Sequence, residues 1–288
     1  MNKLKNYNVM VKAVKEVASS DLQINIKNDT ETKSYTRRCR QDLREALVLT
    51  DSRHDLYEMY GYNATASWTK LPWPTRIAEG TINLNYVFHA CSKLTEVDLS
   101  QWDTSSVTNM VMLFSGLSQL KELDISNLDT SNVTRMDNLF SSVGRSNSEP
   151  IHIIGLEDLN VSKVESMNNL FRTVNVKELN LSKWDVSNVQ SMAEMFRYSN
   201  VEFIDITNWD TSKVTSFQNM FDRCDNLREV RGVFDMSSSY DKLKTLELTS
   251  YGKKPPKLEK PIQLKNVPRG LYIYNEGGLL EILSYKEN

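Results

Sequence analysis

The chain has 288 residues, of which 40% are hydrophobic and 25% are charged, and its formal net charge is −2 at pH 7. This is the composition of an ordinary globular protein, so extensive disorder is not expected. The small net charge argues against a dominant role in binding nucleic acid or anionic membranes. The three cysteines, Cys39, Cys91 and Cys224, are odd in number and far apart, which suits neither a disulfide framework nor a Cys-x-x-Cys metal site.

The first segment, residues 1–75, carries mixed helix and strand patterns. Residues 4–18 and 36–49 have the spacing of amphipathic helices, and residues 21–27 alternate as a strand does. We predict an N-terminal α/β cap for the repeats that follow, and the alternative is a docking segment that attaches them to a larger assembly. The first 20 residues lack the unbroken apolar stretch of a signal peptide. No stretch of 18 consecutive apolar residues occurs, so membrane insertion is not expected.

Residues 76–248 are built from a repeated motif with the form Val-x-x-Met-x-x-Leu-Phe. Its phenylalanine recurs at Phe88, Phe114, Phe140, Phe171, Phe196 and Phe221. The longest interval, from Phe140 to Phe171, contains the polar insert Ser141–Pro150. A period of 20 to 50 residues is typical of a solenoid, in which each unit buries its apolar side only against its neighbours. The sequence therefore predicts about six stacked repeats with a column of buried phenylalanines.

Each repeat has two halves with different periodicities. The first half alternates, as in Leu120-Lys-Glu-Leu-Asp-Ile125, which predicts a short strand. The second half begins at Trp-Asp-Thr-Ser, a plausible helix N-cap, and continues with Val107, Met110, Leu113 and Phe114 on one side of a short helix. A strand and a short helix in about 25 residues form a leucine-rich-repeat unit. The predicted fold is thus an α/β leucine-rich-repeat solenoid with a parallel strand ribbon.

The motif Leu-x-x-Leu-Asp-Leu-Ser-x-Trp-Asp-Thr-Ser-x-Val-Thr-x-Met-x-x-Leu-Phe resembles the BspA-like leucine-rich repeat. That family occurs in bacterial surface proteins, mycoplasma lipoproteins and some phage-encoded proteins. Residues 92–114 match it nearly letter for letter, and residues 115–140, 176–196 and 199–221 follow closely. The copy at 151–171 departs, with Leu159 in place of Trp and Asn160-Val161 in place of Asp-Thr. The resemblance implies adhesion or protein recognition and carries over no catalytic residues.

The last segment, residues 249–288, combines a linker with a strand pattern. Residues 252–261 are rich in Pro and Lys, which predicts a stiff surface linker. Two apolar runs, 271–274 and 279–283, flank Asn-Glu-Gly-Gly and predict a C-terminal β-hairpin.

The candidate binding residues are the outward positions of the predicted strands, which line up from repeat to repeat. We predict that they form an acidic face that meets a protein partner carrying basic groups; a solvated sheet face without a partner is the alternative. The ten positions are Glu96, Asp98, Glu122, Asp124, Glu178, Asn180, Phe203, Asp205, Glu229 and Arg231. The recurrent Trp102, Trp184 and Trp209 could form a platform for a glycan, but Leu128 and Leu159 share their repeat position, which favours buried packing.

No pattern in the chain indicates catalysis or a cofactor. The histidines are isolated, and neither a phosphate-binding glycine loop nor a Gly-x-Ser-x-Gly motif occurs. The acidic pairs recur in every repeat, whereas a catalytic pair needs two unlike environments. The sequence predicts a non-enzymatic recognition or adhesion protein without metal or cofactor. Its expected location is a virion, such as that of a phage or prophage, or the cytoplasm, where it would act as a protein–protein scaffold.

Overall fold

A computed structural model describes residues 22–28, 31–37, 47–49, 69–70, 75–77, 80–238, 245–246, 258–267, 272–273 and 280–286. Fourteen short strands lie in these residues. They are β1 Leu22–Asn28, β2 Glu31–Arg37, β3 Leu47–Leu49, β4 Thr75–Ile77, β5 Glu122–Asp124, β6 His152–Ile154, β7 Glu178–Asn180, β8 Phe203–Asp205, β9 Glu229–Arg231, β10 Val233–Asp235, β11 Thr245–Leu246, β12 Ile262–Lys265, β13 Tyr272–Ile273 and β14 Leu280–Ile282. In the described part the helical content is one 3-10 turn, Leu156–Asp158, within residues 80–238.

The segment before the repeats contains strands where a mixed α/β cap was predicted. The expected strand over 21–27 is confirmed as β1, which pairs antiparallel with β2. The predicted helix over 36–49 is wrong at both of its ends, because Thr36 and Arg37 belong to β2 and residues 47–49 form β3, which pairs parallel with β4. The predicted helix over 4–18 lies outside the described residues.

The repeats wind into a parallel β-solenoid of about five turns. Parallel bridges connect one residue of each turn to the next, in the order Asn83, Asn109, Arg135, Ser166, Ser191 and Ser216. On another side of the coil, β5 pairs with β6, and β7, β8 and β9 form a three-stranded parallel sheet. Strand residues that face inward, such as Leu123 and Ile204, are buried, as the alternating pattern predicted.

The second half of each repeat is a chain of tight turns, which corrects the predicted short helix. In the second repeat, Leu113 N donates to Met110 O at 3.2 Å and Leu117 N donates to Phe114 O at 3.3 Å. The third residues of these two turns, Met112 and Gly116, have φ values of 56° and 83°. A bond from residue i to residue i+3 with positive φ at the third position is the pattern of a type II turn. Successive four-residue turns bring apolar side chains inward at nearly the spacing of a helix.

These turns are joined to the next layer by main-chain hydrogen bonds at alternate residues. Met112 N donates to Asp137 O at 3.0 Å, and Phe114 N donates to Leu139 O at 3.1 Å. The same positions one repeat later make the same bonds, as when Asn138 N donates to Asn168 O at 2.9 Å. In a helix these N–H groups would donate to carbonyls of the same helix, whereas in the turns they donate to carbonyls of the next layer. The layers are therefore hydrogen-bonded on the turn side as well as on the strand side.

The buried column of phenylalanines is confirmed. All six rings, at 88, 114, 140, 171, 196 and 221, are at most 1% exposed. Consecutive centroids are separated by 6.0, 6.0, 5.4, 5.8 and 5.6 Å, and the interplanar angles do not exceed 13°. Cys91 and Cys224 are also buried, as expected of core thiols, and burial raises the pKa of the Cys224 thiol to about 12. Cys39 lies outside the described residues.

Asx turns form the corners between the strand side and the turn side. Asp103 Oδ1 accepts from Ser105 N at 3.0 Å, and Asp129 Oδ1 accepts from Ser131 N at 2.9 Å. Asp98 and Asp124 do the same for Ser100 and Ser126, at 2.9 and 3.0 Å. Side-chain capping of this kind fixes a corner locally. The Trp-Asp-Thr-Ser motif is thus a corner signal, and the helix N-cap predicted for it is wrong.

The C-terminal strands continue the stack, so the predicted hairpin is wrong. β12 pairs parallel with β10, and β14 pairs parallel with β12. β13 pairs parallel with β11. A hairpin would have required antiparallel pairing of β13 with β14. The two apolar runs therefore belong to different layers of the stack.

We expect Phe171→Ala to lower the free energy of unfolding by about 3–5 kcal/mol, because it leaves a cavity between two stacked rings. Thermal and urea melts measure this change. Phe203→Ala is the matched control, since the Phe203 ring is half-buried on the strand face, and we expect it to cost about 1 kcal/mol or less. Equal stability of Phe171→Ala and the wild type would contradict the buried column.

Thr173→Asn is expected to stabilise the protein. Thr173 is β-branched and has a φ of 59°, a conformation that Asn adopts more readily. We expect a gain of about 0.5–1 kcal/mol in urea melts. Thr173→Ala is the control, because alanine removes the β-branch without asparagine's tolerance of positive φ. The prediction fails if the Asn variant is no more stable than the Ala variant.

The Asx turns predict a loss of stability in acid. Hydrogen bonds from the hydroxyl and main-chain N–H of Ser100, Ser105, Ser126 and Ser131 lower the pKa of the four aspartates that they contact. A carboxylate with a lower pKa in the folded state stabilises the fold above its unfolded pKa, about 4, and that contribution disappears as the pH falls through the folded pKa.

The test replaces Asp98, Asp103, Asp124 and Asp129 together with Asn. Asn160 and Asn180 already form the same turn, with Ser162 N at 3.1 Å and Ser182 N at 3.2 Å, so the corner is retained while its titration is removed. We expect the melting temperature of this variant to fall less than that of the wild type between about pH 5 and pH 2. The variant Glu122→Gln/Glu149→Gln/Glu165→Gln/Glu178→Gln, which removes four exposed carboxylates outside the turns, controls for net charge. Equal acid sensitivity of the four-Asn variant and the wild type would contradict the linkage.

Candidate functional site

Eight of the ten predicted binding residues lie at outward positions of β5, β7, β8 and β9, whereas Glu96 and Asp98 lie at the equivalent positions of a layer in which the predicted strand is not formed. Seven of them are exposed, and Phe203, Asp205 and Glu229 are half-buried. In the sheet β7–β8–β9, the register places Glu178 beside Phe203 and Phe203 beside Glu229. The second row in that sheet contains Asn180, Asp205 and Arg231. The structure therefore brings the six C-terminal members together as two adjacent rows.

The rows are interrupted by two residues that the sequence analysis missed. β6 supplies His152 opposite Glu122 and Ile154 opposite Asp124. The insert at 141–150 lengthens this repeat and takes its strand out of the regular period of the sequence. The sequence does contain a signal for this strand, since the apolar Ile151 and Ile153 alternate with His152. Both isoleucines are buried in the structure. The acidic face is thus divided into an N-terminal part, with Glu96, Asp98, Glu122 and Asp124, and a C-terminal part.

Four of the ten residues hold corners of the fold. Asp98 and Asp124 form the Asx turns described above, and Asn180 accepts from Ser182 N in the same way. Asp205 Oδ1 accepts from Thr207 N at 3.0 Å. A periodic Asp or Asn at this strand position is explained by backbone capping. The residues available for recognition are accordingly the glutamates of the outer row together with His152 and Phe203.

The two parts of the acidic face differ in electrostatic balance. At the C-terminal end Glu229 lies 3.3 Å from Arg231 and 3.1 Å from Lys260, and their hydrogen bonds lower the pKa of Glu229. Glu229 in turn raises the pKa of Arg231. Arg228 stacks over the Phe203 ring at 5.3 Å. In the N-terminal part, Glu96 is paired with Lys70 at 2.7 Å. The outer-row glutamates that form no ion pair with a described residue are therefore Glu122 and Glu178.

The tryptophans belong to the interior. Trp102, Trp184 and Trp209 are at most 6% exposed, so the buried packing is confirmed and a glycan platform on these rings is excluded. The indole N–H of Trp209 donates to Leu181 O at 2.8 Å, and that of Trp184 donates to Leu156 O at 3.0 Å. Trp184 and Trp209 thus each link two layers.

In the described ranges, no group of three or more His, Cys, Asp or Glu side chains is placed to hold a metal ion. No helix in that same part of the chain is long and apolar enough to cross a membrane.

Comparisons with known proteins supply a family. No curated protein and no solved structure matches the chain significantly. One family model matches twice, over residues 82–153 and 145–251, and its description is "Mycoplasma protein of unknown function, DUF285". The two matches together run from residue 82 to residue 251, more than half of the 288 residues. The chain belongs to this mycoplasma family of unknown function, DUF285.

Proposed function

We propose that this protein is a non-enzymatic recognition protein that binds another protein through the strand side of its solenoid. The observation that supports this proposal is the set of exposed side chains at equivalent outward positions of successive layers, Glu96, Glu122, His152 and Glu178, of which Glu122 and His152 are paired in register. Stacked layers present one outward side chain each at about 4.8 Å spacing. Such a surface suits an extended partner better than a small molecule.

The charge of the row indicates the chemistry of the partner. Three of its four members are carboxylates; Glu96 already pairs with Lys70 at 2.7 Å, whereas Glu122 and Glu178 form no ion pair with a described residue. Like charges in nearby layers repel one another, although water screens much of this repulsion. Lys or Arg side chains spaced along a partner segment would relieve this repulsion. The resemblance of the repeats to the BspA-like leucine-rich repeat independently favours a recognition or adhesion role.

The test measures binding of fluorescein-labelled hexalysine to the full chain by fluorescence anisotropy at low salt. We expect Glu122→Lys/Glu178→Lys to weaken binding about tenfold, the equivalent of roughly 1.4 kcal/mol. Both substitutions leave the Asx turns intact, because neither glutamate caps a turn. Binding should also fall steeply with added salt, since the charges are exposed.

Glu149→Lys/Glu165→Lys is the matched control, because it makes the same charge change at exposed residues outside the strand row. An equal loss in the control would assign the effect to net charge and overturn the proposal. Unchanged affinity of the strand-row variant would also overturn it. Fractionation of cells then distinguishes the two proposed roles. Sedimentation with particles or membranes favours an adhesion protein, and a soluble complex favours a scaffold.

A further inference from the structure

A cluster of arginines surrounds one exposed tyrosine on the turn side of the solenoid. Tyr198 is 42% exposed. The guanidinium carbons of Arg197, Arg223 and Arg172 lie 5.0, 5.8 and 6.0 Å from the centre of its ring. These distances are within the range of cation–π attraction. The four residues, named here the Tyr198 cluster, come from three successive layers.

The cluster is not required by the repeat. The positions equivalent to Arg172 and Arg197 in earlier layers are Ser115 and Ser141, and the layer positions equivalent to Tyr198 are Gly116 and Ser142. Those small residues occupy the same turns and make the same ladder, as when Gly116 N donates to Ser141 O and Ser142 N donates to Arg172 O, both at 2.8 Å. Large charged and aromatic side chains at these positions are therefore additions to the scaffold.

Carboxylates behind the cluster hold two of the arginines in place. Asp222, whose side chain is 2% exposed, accepts from Arg197 Nε at 2.8 Å. Glu194 lies 2.9 Å from Arg197 and 3.4 Å from Arg172. Arginines fixed in this way lose less conformational freedom when a ligand binds. Arg223 is exposed and stacks on the ring from the adjacent layer.

The charges of the cluster determine which ligand it fits. Three arginines against Glu194 and Asp222 leave one positive charge beside an exposed aromatic ring. A nucleic acid needs a longer basic surface, because its affinity comes mainly from many phosphate contacts. One or two carboxylates flanked by apolar groups match a single excess charge and a tyrosine. Tyr and Arg are also the residues most enriched at energetically important positions of protein interfaces.

We propose that the Tyr198 cluster is a second binding site, which takes an acidic segment of a protein. Arg223 and Arg172 bind its carboxylates, Tyr198 packs against its apolar groups, and Arg197 positions the ring. This site is independent of the strand row, because its residues lie on the turn side and its ligand has the opposite charge.

The experiment measures binding of fluorescein-labelled hexaglutamate to the full chain by fluorescence anisotropy at low salt. We expect Arg223→Ala and Tyr198→Ala each to weaken binding about tenfold, whereas Tyr198→Phe retains the ring and the affinity. Arg145→Ala is the control, because it removes an exposed arginine from the insert and is expected to leave the affinity unchanged. Melting curves establish that each variant is folded.

Three results would overturn the proposal. The first is no binding of hexaglutamate by the wild type, and the second is an equal loss in Arg145→Ala, which would indicate attraction by net charge. The third is stronger binding of an oligothymidylate that also depends on Arg223, which would assign the cluster to nucleic acid. The variant Glu122→Lys/Glu178→Lys distinguishes the two sites. It should bind hexalysine about tenfold more weakly and retain binding of hexaglutamate that depends on Arg223.

Discussion

The whole structure depends on each layer satisfying its main-chain donors with the next layer. The turn side bonds alternate N–H groups one repeat onward, as Phe171 N does to Met195 O at 2.8 Å. Parallel layers held in this way are about 4.8 Å apart, whereas the phenylalanine centroids are 5.4–6.0 Å apart. Neighbouring rings are therefore displaced sideways, which is the offset stacking that aromatic pairs prefer. The backbone hydrogen bonds and the offset packing of the rings are thus both satisfied at one distance between layers.

The sequence predicted the features that depend on periodicity. The layers, the phenylalanine column and the buried tryptophans all recur at one position per repeat, and burial is the simplest cause of such recurrence. It could not separate a helix from a series of turns, because both bring Met110, Leu113 and Phe114 inward. The distinguishing signal was Asn138, Asn169 and Asn219, which share one position and have φ values of 54–58°. Asparagine tolerates this conformation better than most residues.

The errors at the candidate site and the C-terminus arose where the period changes. The insert before β6 breaks the regular period of the sequence, and the two residues that divide the acidic row, His152 and Ile154, follow this break. β12 and β14 are only 18 residues apart, from Ile262 to Leu280, and this short interval resembles a hairpin more than a solenoid layer. Strand pairing also depends on contacts distant in sequence, which local alternation does not contain. The Tyr198 cluster was missed for a related reason, because its members occupy two repeat positions in three layers and meet only after stacking.

A periodic scaffold separates the residues that build the fold from those that are free to define function. Asp98, Asp124 and Asp205 recur because each one caps a corner, so their acidity alone is weak evidence for a ligand. Tyr198 and Arg223 replace small residues at positions where the scaffold functions with Gly or Ser, so their presence calls for another cause. Because each layer contacts mainly its neighbours, the Glu96–Glu178 row and the Tyr198 cluster can be occupied separately. The two proposed sites have opposite charge, and the proposed scaffold role would follow from them, since one chain would then hold a basic and an acidic partner together.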